Sequence, residues 1–434
     1  MRPAELHSAA AEFESGQNVR LAHRPQACVP CRSPKSFRNR IVETNVCRRH
    51  AASDGKLAAY APQISFGVRI PSENFLRSRP DVGYNRPMLQ TARPKQKSQP
   101  KAPAPEKYLE AFRWMLLTRT FEEKLASMYR GGRITGGVYI GKGQEAVSVA
   151  CGIFLQKGDI FAPLIRDQAG RSAFGEPLVD VARTYLGSRA GPMRGRDGNI
   201  HRGKPRDGQL AMISHLGAMV SVVVGSLMAK RGRGEKNFIG LTTIGEGGMQ
   251  TGATHEGMNI AAVEHVPLVV VATNNHYAYS TPNDREFACA NLVDRARGYG
   301  FEGYELDGTD LAQCLDVIGS AVKRARAGRP PQLVVASTLR LAGHGEHDDF
   351  SYVTDDIRKE PFAIDCLKRA EGFIKERDLA DAETLQRWRE EAAEEVENAF
   401  SAAQSEPVPS GDDEDWSAIS RRDLVDEIGE GGSS

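Results

Sequence analysis

Two apolar runs organise the second half of the chain. They are Phe238-Ile239-Gly240-Leu241-Thr242-Thr243-Ile244 and Pro267-Leu268-Val269-Val270-Val271-Ala272. Both are short, rich in β-branched residues and bounded by Gly, Pro or Asn, which reads as buried strands. A helix fits Ala253 to Glu264 between them. Further strands fit Phe301 to Leu306 and Gln332 to Ala336, with a helix from Leu311 to Ala327 separating them. Strands alternating with helices predict an α/β fold, a doubly wound parallel sheet flanked by helices. Upstream, Tyr108 to Tyr129 repeats apolar residues at helical spacing: Leu109, Phe112, Met115, Leu116, then Phe121, Leu125 and Met128. Gly143-Gln144-Glu145 opens another helix after a glycine-rich loop. Glu360 to Gln404 reads as a charged helical pair.

Outside this region the pattern fades. Residues 1–105 are rich in Arg, Pro, Ser and Asn and lack apolar periodicity, ending in a basic, proline-rich linker around Lys95, Lys97 and Lys101. They read as a disordered extension or as an overextended reading frame with Met88 the true start. Cys28, Cys31, Cys47 and His50 have zinc-ribbon spacing, but the aliphatic residues of a small zinc fold are missing around them. The expected folded domain is 106–405, followed by an acidic tail, 406–434. A net charge of +1 gives no reason to expect nucleic acid. No apolar run approaches the ~20 residues that span a bilayer. Seven scattered cysteines suit reduced thiols and a cytoplasmic location.

The chemistry concentrates where the two runs end. The first runs into Gly245-Glu246-Gly247, the second into Asn274-Asn275. In a parallel sheet both would lie at carboxyl ends of strands, where such folds bind ligands. Glycines admit a phosphate close to the backbone. A carboxylate between them repels a phosphate unless a cation intervenes. Glu246, the Asn275 side-chain oxygen and a backbone carbonyl form a hard oxygen set suited to Mg²⁺. The plainer alternative is a glycine turn and an unrelated Asn turn. A dinucleotide fingerprint fails because the third glycine position holds Gln250.

Four segments occur in order: Gly245 to Gly252, His255 to Ala262, Asn274 to Pro282, and Arg340-Leu341-Ala342-Gly343-His344. Together they resemble the alpha subunit of the thiamine-diphosphate-dependent decarboxylating component of 2-oxo acid dehydrogenase complexes. That family serves pyruvate, branched-chain 2-oxo acids and acetoin. The resemblance implies that Glu246 and Asn275 ligate Mg²⁺ through side chains and Tyr277 through its carbonyl. It implies that Gly247 and Gly248 donate backbone N–H groups to the diphosphate and that Arg166 clamps a diphosphate oxygen. Leu216 would pack near the aminopyrimidine. His344 would serve as the active-site histidine in substrate positioning and reductive acylation of the lipoyl group. Arg340 and Tyr352 would order its loop. On residues alone, Arg166 could instead pair with Asp167, and Leu216 could be a core leucine. Some positions depart from the family pattern. Leu164 and Ile165 replace polar partners before the arginine. Thr251 stands where an acid or amide is common. Gly345 replaces a serine that mitochondrial relatives phosphorylate.

The resemblance also implies what is missing. The glutamate that activates the coenzyme's pyrimidine comes from a beta subunit in this family, so the chain is expected to work as an alpha2-beta2 heterotetramer docked on a lipoyl-bearing acyltransferase core. The Asn274 to Pro282 run leans toward branched-chain substrates such as 3-methyl-2-oxobutanoate, with pyruvate next. The alternatives are an acetoin dehydrogenase alpha subunit and a non-catalytic scaffold that kept the fold.

Overall fold

The computed structural model describes residues 103–197 and 199–413. The zinc-like Cys28, Cys31, Cys47 and His50, the basic linker before residue 103 and most of the acidic tail lie outside them. Five parallel strands form the central sheet: β1 (Ile160–Ala162), β2 (Gly240–Gly245), β3 (Leu268–Asn274), β6 (Glu302–Asp307) and β7 (Gln332–Ser337). Their spatial order is β1-β2-β3-β7-β6. A small antiparallel hairpin, β4 (Tyr277–Ala278) and β5 (Thr281–Pro282), hangs from the end of β3. The helices are α1 (Pro105–Arg130), α2 (Glu145–Gly152), α3 (Gln168–Ala173), α4 (Leu178–Tyr185), α5 (Ala218–Gly232), α6 (Gly252–Val263), α7 (Arg295–Tyr299), α8 (Leu311–Arg326), α9 (Cys366–Glu376) and α10 (Ala382–Ser405).

The strands read as continuous apolar runs because both faces of the sheet are covered. Alternate residues point to opposite sides. Val269, Val271, Val334 and Ala336 pack with α1, α2, α8 and α9. Leu268, Val270, Ala272, Leu333 and Val335 pack with α5 and α6. A third cluster joins α1, α4 and α10 through Phe121, Leu125, Tyr185, Val396 and Phe400. The expected doubly wound sheet is present, and the four expected strands and the helix at its start match the observed elements closely. Residues 361–363, expected to lie in the first turn of the C-terminal helical pair, form a single 3₁₀ turn, and α9 starts only at Cys366. Pro361 explains the delay: it disfavours helix at Glu360, which is extended (φ −65°, ψ 150°). The Asp365 side chain then caps α9 by accepting from Leu367 N.

The four described cysteines, Cys151, Cys289, Cys314 and Cys366, are free thiols. No described helix is long and apolar enough to cross a membrane.

Candidate active site

β2 and β3 are paired in register, Gly245 beside Thr273, so Glu246 and Asn275 leave the sheet together at its carboxyl end. Glu246 is buried, and its Oε2 accepts from Asn275 N at 3.3 Å. One terminal atom of the Asn275 amide lies 3.0 Å from Glu246 Oε1 and 3.0 Å from Tyr277 O. With nitrogen there, the amide donates to both. With oxygen there, three oxygens face one another, an arrangement only a cation makes favourable. The spacing suits one: octahedral ligands at ~2.0–2.1 Å from a metal stand ~2.8–3.0 Å from their neighbours. Burial pushes the Glu246 carboxyl up to about 7, as expected of a carboxylate whose compensating charge is a separate species. No cluster of three His, Cys, Asp or Glu suited to a metal occurs among the described residues; two donors of this set are an amide and a main-chain carbonyl.

The chain past Glu246 makes one 3₁₀ turn, Gly248–Gln250, and enters α6 at its cap Thr251, whose Oγ1 accepts from Thr254 N. Thr251 Oγ1 also donates to Gly248 O at 3.0 Å, which gives this threonine a local role. The carbonyls of Glu246, Gly247 and Gly248 accept from Met249, Gln250 and Thr251. The N–H groups of Gly247 and Gly248 have no partner among the described residues. They are donors at the start of a helical segment, the usual setting for an anion. A Cβ on Gly248 would meet Ile244 Cγ1 at 2.8 Å, so only glycine fits this turn.

Arg166 follows β1. It does not pair with Asp167, which turns inward and accepts from Leu164 N at 2.9 Å and from Thr243 Oγ1. Arg166 is buried, donating to Ile140 O at 3.1 Å and His344 O at 2.6 Å, and forms no ion pair among the described residues. Burial, reinforced by Arg340, lowers its pKa to about 10. A buried cation held only by neutral oxygens is a site for an anion. The orphan glycine N–H groups, this guanidinium and the oxygen set together fit a diphosphate with a divalent cation.

His344 closes the site from the loop after β7. Its Nδ1 lies 3.3 Å from an Arg166 nitrogen. Since guanidinium only donates, Nδ1 is assigned as acceptor and Nε2 carries the proton. Burial, then Arg166 and Arg340, hold the imidazole down to about 4, so it is neutral near pH 7. Tyr139 and Tyr279 stand edge-on to its ring at 5.5 and 4.5 Å. His347 is exposed and also stands edge-on to Tyr139, with ring centroids 6.2 Å apart. Asp348 orders the loop by accepting from His344 N and, at 2.6 Å, from Tyr352 OH. Arg340 donates to Tyr352 OH and to the carbonyls of Ala342, Tyr277 and Tyr279.

Leu216 is 48% exposed, so it is no core leucine. Gly217 (φ +88°) sits so close to α6 that a Cβ would meet Thr251 Oγ1 at 2.2 Å, and Leu216 Cβ lies 3.8 Å from a Cβ built on Gly248. It lies at the rim of the Gly247-Gly248 turn. Sequence reasoning passed over Tyr139 and Glu286. Tyr139's only signal was its place in the glycine-rich segment 136–143.

The sequence profile of the dehydrogenase E1 component family matches residues 113–411. Among known proteins, the alpha subunit of acetoin:2,6-dichlorophenolindophenol oxidoreductase of Cupriavidus necator is 32% identical, over 71% of this chain and 92% of its own. The alpha subunit of 2-oxoisovalerate dehydrogenase of Bacillus subtilis is 32% identical, over 69% and 91%. The alpha subunit of the pyruvate dehydrogenase E1 component of Rhizobium meliloti is 30% identical, over 69% and 86%.

Proposed function

The chain belongs to the dehydrogenase E1 component family, and on that premise we propose that it is the alpha subunit of a 2-oxo acid dehydrogenase that uses thiamine diphosphate and Mg²⁺. The observation that carries this reading is Arg166: a buried guanidinium that hydrogen-bonds carbonyl oxygens and an imidazole nitrogen, with no carboxylate in direct contact among the described residues, and that touches the loop of His344. It argues against a scaffold that merely kept the fold, because a buried unpaired cation destabilises a protein that binds no anion.

Bound thiamine diphosphate supplies the electron sink for loss of CO₂ from a 2-oxo acid. This chain's residues bind and orient. Arg166 and the N–H groups of Gly247 and Gly248 hold the diphosphate oxygens. Glu246, Asn275 Oδ1 and Tyr277 O hold Mg²⁺. Leu216 offers an apolar rim to the aminopyrimidine. His344 presents Nε2–H toward the substrate side, where it would hydrogen-bond the substrate and the incoming lipoyl disulfide. The two electrons left at the substrate carbon when CO₂ departs would reduce that disulfide, one sulfur taking the acyl group as a thioester and the other leaving as a thiol with a proton from solvent. A beta subunit completes the site in an alpha2-beta2 assembly docked on a lipoyl-bearing acyltransferase core. Residues 106–405 form the catalytic domain, and the assembly works in the cytoplasm.

The substrate reading is a branched-chain 2-oxo acid, supported by the Asn274 to Pro282 run, with pyruvate next. Relatives named for acetoin, 2-oxoisovalerate and pyruvate stand at similar identity, so acetoin is the second reading. Steady-state assays of the co-expressed alpha and beta subunits with 3-methyl-2-oxobutanoate, pyruvate and acetoin test all three. A preference in kcat/KM for pyruvate or acetoin would overturn the branched-chain reading. Turnover of none would overturn the function.

A further inference from the structure

Glu286 lies just past the β4–β5 hairpin, at the end of the 3₁₀ turn Asn283–Arg285. Its Oε1 accepts from Ala278 N at 2.9 Å. That N–H and the Tyr277 carbonyl belong to one peptide group, and in a trans peptide they point in opposite directions. A carboxylate anchoring the N–H therefore fixes the aim of Tyr277 O, the oxygen that faces Asn275 at 3.0 Å. Hydrogen bonding at the N–H also polarises the carbonyl and strengthens it as a donor.

The peptide needs such an anchor. His276 and Tyr279, which bracket Tyr277-Ala278, both have positive φ, at 68° and 56°. Neither is glycine, so each conformation costs energy and must be held by its surroundings. Asn283 contributes, donating to Asn274 Oδ1 at 2.9 Å. On the carbonyl side, Arg340 Nη1 stands 3.4 Å from Tyr277 O. A carbonyl has two lone pairs, which leaves one for a cation. Ala278 in turn rests on the metal turn, since a Cβ on Gly247 would meet Ala278 Cβ at 2.5 Å and lie 3.8 Å from Glu286 Oε2. Glu286 Oε2 is itself buried without a partner.

We propose that Glu286 is a positioning residue for the cation site, acting through the Tyr277–Ala278 peptide to set the third oxygen ligand. This rests on the functional reading above. Partners that orient metal ligands without touching the metal are worth ~10–100-fold in affinity. Mg²⁺ is the demanding case, because it requires near-ideal octahedral geometry, whereas Ca²⁺ tolerates irregular sites.

The test is calorimetric titration of Mg²⁺, and separately Ca²⁺, into the alpha-beta complex at saturating thiamine diphosphate. Glu286→Ala should raise the Mg²⁺ Kd by ~10-fold or more and the Ca²⁺ Kd less. Glu286→Gln retains an oxygen that can accept from Ala278 N and should stay within ~3-fold of wild type on the same scale. Thermal unfolding without ligands should be similar for all three. An unchanged Mg²⁺ Kd in Glu286→Ala, or equal losses in the Gln and Ala variants, would overturn the proposal. If Glu286→Ala does not fold, Glu286→Asp, one methylene too short to keep the contact, takes its place. Wild-type complex that binds no Mg²⁺ would sink the functional reading itself. Wild type that binds while Glu286→Ala binds equally well would remove only this inference.

Discussion

A guanidinium buried among carbonyl oxygens and an imidazole lacks the anion that normally compensates an internal charge. Arg166 is in that position, and a short distance away Glu246 is a buried carboxylate with no cation of its own. Glu122 and Glu246 both act on the Arg166 charge through space, yet neither is paired with it. A diphosphate between Arg166 and a metal on Glu246 would satisfy both Arg166 and Glu246. Glu246→Gln keeps the shape and removes the charge, and Asn275→Leu removes a neutral oxygen. Each should weaken Mg²⁺-dependent coenzyme binding by more than the ~10–100-fold lost with an indirect partner. Calorimetric titration of thiamine diphosphate with Mg²⁺ into the alpha-beta complex measures this; normal binding by Glu246→Gln would make the metal assignment wrong. His344→Ala should behave differently. The shorter contact from Arg166 goes to the main-chain carbonyl of His344, which the substitution keeps. Coenzyme affinity should hold while activity of the assembled complex, read as NADH formation, falls ~10²–10⁴-fold. Full activity in this variant would pass the role to His347 or to a beta-subunit group.

The loops that carry these side chains are held by buried polar networks. The best defined lies behind Arg166. Glu176, in the turn between α3 and α4, accepts from Arg202 at 2.9 and 3.0 Å and from Gln168 at 3.1 Å, with Arg171 at 3.5 Å. Burial alone would raise the Glu176 carboxyl, but Arg202 and Arg171 outweigh it and bring it down to about 2. A folded value below the ordinary 4.5 stabilises the native state fully above about 4.5 and loses that contribution as pH falls toward 2. Glu176→Ala strands two buried cations and should cost ~3–5 kcal/mol at pH 7. Urea denaturation of wild type and variant at several pH values checks it: the gap should narrow between pH 4.5 and 2, and a constant gap would contradict the assignment. No periodicity announced this network, because its members are polar residues of short helices and loops joined across 26 and 34 positions. The same limit hid α5, where Val220, Val222, Val223, Val224 and Gly225 look more like strand or loop than helix. It also hid β1, three residues long. The long strands were legible because burial on both faces writes itself as uninterrupted apolar runs. Glu246 and Asn275 stood out because a carboxylate and an amide follow the ends of such runs, whereas Arg166 and His344 were singled out only through the family resemblance. The Glu286 and Arg340 contacts were not, since hairpin and loop geometry alone brings them to Tyr277.

At the scale of the whole molecule, the site lies open at the carboxyl edge of the sheet. Leu216 and Tyr279, which flank the coenzyme and His344 in the proposed reading, remain 48% and 47% exposed. Exposed apolar and aromatic groups gathered at the mouth of a site mark a surface that a partner can cover. Decarboxylation chemistry needs a site from which water is excluded. Three carboxylates of this region are already engaged within the chain. Glu246 accepts from Asn275 N, Glu286 accepts from Ala278 N, and Glu122, buried beside Gly141, accepts from that residue's N–H at 2.8 Å. The purified chain alone should therefore turn over no 2-oxo acid, while the same chain mixed with its beta partner should do so in the presence of thiamine diphosphate and Mg²⁺. Both are read in one assay, CO₂ release from labelled 2-oxo acid before and after the beta subunit is added, with subunit assembly followed by light scattering. Turnover by the isolated chain at the rate of the mixture would show that this sheet edge supplies the missing carboxylate itself, and the two-subunit reading would fall with it.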